Sequence, residues 1–347
     1  MGVKVERFGT LPDGREVRSY TLCTGSMTAV FTDYGCRVLR LLAPDREGRP
    51  GDVVLGHRTL EEYFGADYHG AAIGRWGNRI GGARFQLDGQ TYTLNKNDGE
   101  NSLHGGPGGF HQALWAAEYE DGEEPEIRFT LESPDGEEGF PGALRASIAY
   151  RLTAQNALKI TYQAKATRRT PYNPTNHSFF NLSGDPSKTV LDTSLTINAQ
   201  QSTAVTDALI PTGELLPVAE SPLDFRSPKK LGQDMFAQDH LIQLCGGYDH
   251  NFCAAGQGYR KIAEAYEPES GRVMEVFTDM PGVQLYTFNK PPQGVLGKDG
   301  GPMGPHTAFC LETQFYPDAV NHENFPGGIL EPEEDFASVT AYKFSTR

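Results

Sequence analysis

Long apolar runs are missing from this chain: none approaches the roughly 18 residues of a membrane helix, and the mean hydropathy is -0.48, so no membrane association is expected. Paired cysteines are missing too. The five present (Cys23, Cys36, Cys245, Cys253, Cys310) are an odd number with no Cys-x-x-Cys spacing, which argues against a disulfide framework and implies reduced thiols in a cytoplasmic compartment. Positive charge is scarce, with 31 Lys and Arg against 45 Asp and Glu, for a formal charge of -14. Such a chain repels phosphate backbones, and its cations are scattered rather than striped; nucleic acid is not expected as a partner, whereas a neutral small molecule is compatible. No fixed-period repeat, heptad pattern, low-complexity tract or linker interrupts the sequence, so residues 1–347 read as one domain, a monomer or homodimer. Residues 1–6 hold no apolar signal core, and Glu6 stands where a myristoylation signal carries Ser or Thr; the segment is expected to be simply the first strand.

What the chain does have is turn chemistry at short intervals. β-patterned segments at 3–8, 16–23, 27–32 and 37–42 are separated by Pro12-Asp13-Gly14, Thr24-Gly25 and Tyr34-Gly35, the spacing of an antiparallel sheet. Alternation is clean at Ile148, Tyr150 and Leu152 and again at Leu158, Ile160 and Tyr162. Helix is expected only as a turn over 59–64 and a short segment over 227–235 begun by Ser227-Pro228. The fold class is therefore all-β.

Three polar stretches break this pattern. Residues 173–184 set amides, hydroxyls and the imidazole of His177 beside Phe179 and Phe180, the composition of a pocket floor. Residues 310–318 offer one carboxylate, Glu312, inside an apolar strand pattern, and 247–252 carry Asp249. One acid and one imidazole are the minimum for moving a proton. Upstream, 71–80 reads as a glycine-broken strand bearing Arg75 and Arg79, and 95–109 is a long glycine-rich loop holding His104.

Six motifs taken in order resemble the aldose 1-epimerases, or galactose mutarotases, over nearly the whole chain. They are Gly74-Arg75 with Asn78-Arg79-Ile80; Asn101-Ser102-Leu103-His104-Gly105-Gly106; Thr175-Asn176-His177-Ser178-Phe179-Phe180-Asn181-Leu182; Asp249-His250-Asn251-Phe252; Pro281-Gly282-Val283-Gln284; and Leu311-Glu312-Thr313-Gln314 with Tyr316-Pro317-Asp318. The resemblance implies a large antiparallel β-sandwich of the galactose mutarotase-like supersandwich type, whose concave face holds a hexose such as galactose or glucose. It implies an enzyme that interconverts α and β anomers without cofactor or metal, with Glu312 as base and His177 as acid. His104, Asn78, Arg79, Asp249 and Gln284 match its sugar-binding groups, His104 as a second imidazole near the ring oxygen. The chain departs from the family's pattern at Trp76-Gly77 and in the glycine-rich loop 294–305.

Each residue also has a plainer reading. Glu312 could serve as a buried ion pair, His177 as a hydrogen-bonded core histidine, His104 as an ordinary loop residue, Asp249 as a cap for the turn after Gly246-Gly247, and Arg79 as a surface ion pair. His250 falls on the opposite strand face from Asp249 and is expected to be structural. Trp76 is a candidate platform for a sugar ring. Of the rival functions, a non-catalytic sugar-binding module of the same fold would lack the acid or the base. A metal site of His104, His177 and Glu312 is disfavoured by their distance in sequence, and a hexose-6-phosphate epimerase would need a basic clamp from Arg75 and Arg79.

Overall fold

The computed structural model describes residues 2–65, 67–291, 294 and 296–347. Its largest sheet has nine strands in the order Ala116–Glu120, Glu126–Ser133, Leu144–Leu152, Ala157–Ala166, Phe336–Thr346, Arg272–Thr278, Arg260–Tyr266, Ser194–Ile197 and Lys229–Lys230, paired antiparallel. Alternate residues of the two central hairpin strands turn inward, with Ile148 opposite Tyr162 and Tyr150 opposite Ile160, all fully buried. A slip of one residue would carry that apolar row to the other face, so the pattern fixes the register. Each such side chain contributes about 1.5–3 kcal/mol on burial.

Packed against this sheet is a five-stranded one in the order Pro211–Pro217, Ala199–Val205, Asp249–Ala254, Gly282–Tyr286 and Cys310–Gln314. Its Phe252, Val283, Leu285 and Leu311 enter the shared core, where the Phe180 and Tyr342 rings are 4.8 Å apart and the Tyr342 hydroxyl donates to the Leu311 carbonyl at 2.8 Å. Period-two alternation then obliges Asp249, Asn251, Gln284, Tyr286 and Glu312 to face the other way. Cross-strand register sets Asn251, Gln284 and Glu312 in one row. This polar face underlies the candidate site.

Another five-stranded sheet runs in sequence order from Lys4–Thr10 to Pro50–Asp52, as the turn signals predict. The segment 71–80 pairs as strand only over Ala72–Ile73 with Thr175–Asn176 and Arg79–Ile80 with Ser102–Leu103, with a single bridge from Trp76 to Asn173 between, so both it and 173–184 are mainly irregular backbone rather than strand. The expected helix over 227–235 shrinks to Leu231–Asp234, and Ser227-Pro228 does not cap it. A second helix, His240–Cys245, was not anticipated; Asp239 caps it by accepting from the Leu241 and Ile242 amides (3.0 and 3.1 Å), and Gly246 ends it at φ 72°. In the loop 294–305, Val295 lies outside the described residues. Lys298 pins this loop to the N-terminal sheet, donating to the Leu39 and Val54 carbonyls (2.8 and 2.6 Å) and to Asp52 (2.7 Å). No helix among the described residues is long and apolar enough to cross a membrane.

Candidate active site

A cavity of about 430 Å³, within the usual range for small-molecule sites, opens over the polar face of the Asp249–Cys310 strand set. Asn78, Arg79, His104, His177, Asp249 and Glu312 all line it, although they come from segments far apart in the chain. Gln284 does not. It stands beside Glu312 in register and donates its amide to Asp249 Oδ1 at 2.7 Å, holding that carboxylate from behind.

Glu312 and His177 approach each other, Oε1 to Nε2 at 3.6 Å, and Glu312 Oε2 is buried with no hydrogen-bond partner among the described residues. At that separation no hydrogen bond joins the two groups. Burial first, then the nearby Asp249, raises the Glu312 carboxyl well above its ordinary range, with Arg79 working the other way. Burial first, then His69, pushes His177 down to about 3. Burial thus disfavours charge on both groups, which draws the proton they share toward the carboxyl.

His104 has a different setting. The Asn78 backbone N–H donates to its Nδ1 at 3.1 Å, so the neutral ring carries its proton on Nε2. Burial, followed by His177 and Arg79, holds its pKa well below the ordinary value. Arg79 bonds Asp98 through Nε at 2.7 Å and reaches to 4.0 Å from Asp249; burial opposes its charge, but those two carboxylates outweigh it. Asp249 is thus a cavity acid braced by Gln284 and Arg79, not a cap for the preceding turn.

Sequence reasoning passed over Asp67, Tyr68 and His69, which also line the cavity. Tyr68 stacks with His177 (5.8 Å), His177 with Phe179 (4.8 Å) and Phe179 with His69 (4.2 Å). The fully buried Arg37 fixes the segment below, donating to the Asp67 carboxylate (3.3 Å) and to the Asp67 and His69 carbonyls (2.9 and 3.0 Å). The only hint in the sequence was their place just ahead of 71–80. Two other expectations are corrected. Trp76 is buried in a separate cluster with Ile80 and Phe85 and is no platform, and Arg75 is enclosed by the carbonyls of Ser133, Pro134, Pro141 and Gly142 at 2.7–3.1 Å, away from the cavity.

Among the described residues, two groups bring three metal-type donors within 4.8 Å of one another, His104 with His177 and Glu312, and His57 with Asp67 and His69. Distance in sequence was therefore no argument against the first, since folding closes it. The chemistry of the donors is. A ligand imidazole donates its outer N–H, whereas His104 accepts one there, which leaves the proton on the nitrogen a metal would need. In the second, Arg37 already neutralises Asp67, which lies 2.7 Å from His57 Nε2 and 2.9 Å from His69 Nδ1.

Residues 18–343 match the family described as aldose 1-epimerase. The chain belongs to the aldose 1-epimerase family. It is 42% identical over 342 residues to the galactose mutarotase of Bos taurus, covering 97% of each chain, and 35% identical over 339 residues to the aldose 1-epimerase of Escherichia coli K12, covering 96% of each. Among solved structures it resembles the galactose 1-epimerase of Lactobacillus acidophilus, with a TM-score of 0.88 at 25% identity and 99% of both chains covered. Against this aldose 1-epimerase background the all-β antiparallel architecture needs no further parent. Among the described residues, Asp67, Asp207 and Asp249 face the cavity as acids besides the Glu312 carboxyl, with Arg79 and Lys290 as its cations. Such a site favours neutral polyols over anions.

Proposed function

We propose that this protein interconverts the α and β anomers of a free hexose such as galactose or glucose by acid–base opening and reclosure of the ring. The observation that carries the reading is the buried Glu312–His177 contact at 3.6 Å within a polar cavity. Glu312 takes the proton of the C1 hydroxyl while His177 protonates the ring oxygen. Rotation about C1–C2 and reclosure with the two roles exchanged invert the centre, each positioned group contributing roughly 10²- to 10⁴-fold. The working arrangement differs from the resting one only in where the shared proton sits, so sugar binding need not change the net charge of the site. His104 donates from Nε2 to the sugar, Asp249 accepts from hydroxyl groups, and Asn78 and Arg79 complete the wall. Since only protons move, the proposed reaction requires no cofactor.

A non-catalytic binding module is the weaker reading because acid and base are both in the cavity. A phosphorylated substrate is weaker still: Arg75 lies elsewhere, Arg79 is engaged by Asp98 and Asp249, and Lys290 donates to the Leu244 carbonyl at 3.1 Å. We further read residues 1–347 as one cytoplasmic domain, a monomer or homodimer, supported by five free thiols and by the strand Phe336–Thr346 lying inside the nine-stranded sheet. Polarimetry on freshly dissolved α-galactose and α-glucose tests the function; decay no faster than in buffer, with folded protein, overturns it.

A further inference from the structure

The mechanism above gives Cys310 no task. It is fully buried, two residues before Glu312 on Cys310–Gln314 and hence on the same strand face, and its Sγ lies 3.6 Å from Nδ1 of His177. One strand thus presents two side chains to one imidazole, Glu312 at Nε2 and Cys310 at Nδ1. Stacking by Tyr68 and Phe179, at interplanar angles of 21° and 24°, limits tilt but not a half-turn about Cβ–Cγ, which would replace Nε2 by a carbon at the cavity. A partner on either ring nitrogen chooses between the two orientations; at 3.6 Å Glu312 Oε1 is too far for a hydrogen bond, whereas Cys310 Sγ at 3.6 Å is within reach for the larger sulfur atom.

We propose that Cys310 is the positioning residue of His177: its sulfur accepts the Nδ1–H, aims Nε2 at the substrate, and leaves the imidazolium a strong acid. This rests on the reading of His177 as proton donor. The neutral ring is then Nδ1–H, the opposite tautomer to His104. A carboxylate in place of the thiol would hold the imidazolium as an ion pair and weaken its acidity, which suits a general base better than a donor to a weakly basic ring oxygen. Burial, then Glu312, raises the Cys310 thiol, so it stays uncharged. The other groups around His177 do not substitute for it. His104 is edge-on at 5.1 Å, Tyr68 and Tyr286 offer ring faces or edges at 5.8 and 6.4 Å, and His69, Asp67 and Arg37 lie behind Phe179.

The test combines polarimetry from pH 4 to 9 with ¹⁵N spectra of the His177 ring in Cys310→Ala, Cys310→Ser and Cys310→Val, folding being checked by circular dichroism. Cys310→Ala is expected to lower kcat about tenfold with KM within about twofold, and to move the neutral ring toward Nε2–H. Cys310→Ser, with a stronger acceptor, should keep the tautomer, recover most of kcat and move the acid limb of kcat/KM to higher pH. If Cys310→Ala does not fold, the serine limb shift decides alone. An unchanged tautomer and pH profile in the variants overturns the proposal, as does recovery by valine but not by serine, which would mean that Cys310 merely fills space. Retained turnover in His177→Asn would instead remove the acid assignment, while the wild-type ring spectrum still reports the Cys310 contact.

Discussion

Asn78 and His104 clip each other. The His104 backbone N–H donates to the Asn78 carbonyl at 3.0 Å while the Asn78 N–H donates to His104 Nδ1 at 3.1 Å, with both residues at left-handed φ, 61° and 53°. Such conformations persist only where the surroundings over-determine them, and here the reciprocal bonds do so. His104 is left as a fixed, neutral donor.

A donor that does not titrate affects the height of a pH profile but not its shape. His104→Asn is expected to weaken sugar affinity by roughly 1–3 kcal/mol through the lost hydrogen bond and to leave both pH limbs of activity in place. Calorimetry with galactose and polarimetry across pH check this. A limb displaced by a full unit would return to His104 the share in acid chemistry that its sequence position allowed.

Glu312 and Asp249 should separate turnover from binding. Glu312→Gln keeps size and an acceptor but cannot take a proton, so kcat should fall by at least about 10²-fold with affinity within a few-fold. His177→Asn should behave alike. Asp249→Ala should instead weaken affinity by roughly 1–3 kcal/mol, and it also strands the Gln284 amide that it now binds at 2.7 Å. Near-full turnover in Glu312→Gln would reverse the assignment of the base.

Removal of divalent ions should change nothing. Dialysis against EDTA is expected to leave the polarimetric rate within error, because the tautomer of His104 does not suit a metal ligand. A stoichiometric ion found by elemental analysis, with activity lost on its removal, would argue for the metal reading.

Much of the fold was legible because it is written in a short-range code. Turn residues and period-two alternation located the strands around Ile148 and Tyr162, where each residue's face follows from its neighbours. The site was legible as composition, since polar groups as dense as Asn176, His177 and Ser178 beside Phe179 ask for partners. What could not be read was anything set by distant chain segments. Arg75 and Arg79 look alike four residues apart, yet one is enclosed by carbonyls from 133–142 and the other lines the cavity. Asp67 is marked by no local pattern, because its role comes from Arg37, His57 and the ring stack. The helix His240–Cys245 is too short to show periodicity, and only the Asp239 cap and Gly246 could have revealed it.

Stability should fall in mild acid. Burial, as the largest cause, holds His111 and His177 down to about 3 and His104 well below its ordinary value. An unfolded chain takes up these protons below about pH 6.5 while the folded one does not, so His111 and His177 each cost up to about 1.4 kcal/mol per pH unit from there toward pH 3, and His104 acts in the same direction. Asp33, raised to about 6 chiefly by burial, and Glu312, raised well above its ordinary range by burial and then by Asp249, bind their protons earlier when folded and offset part of this loss. Urea melts at pH 7.5 and 5.0 should show the lower midpoint in acid; equal midpoints would mean that these rings are charged in the folded protein.

The strand Phe336–Thr346 lies between Ala157–Ala166 and Arg272–Thr278, in the middle of the nine-stranded sheet. A nascent chain that has emerged only as far as Asp335 therefore carries two unpaired edges at what becomes the centre of its main sheet, the kind of surface that recruits other strands. The cavity draws on residues from Asp67 to Glu312, so it is complete only when segments far apart in order of synthesis are all in place. A chain cut after Asp335 is therefore expected to aggregate rather than to work slowly.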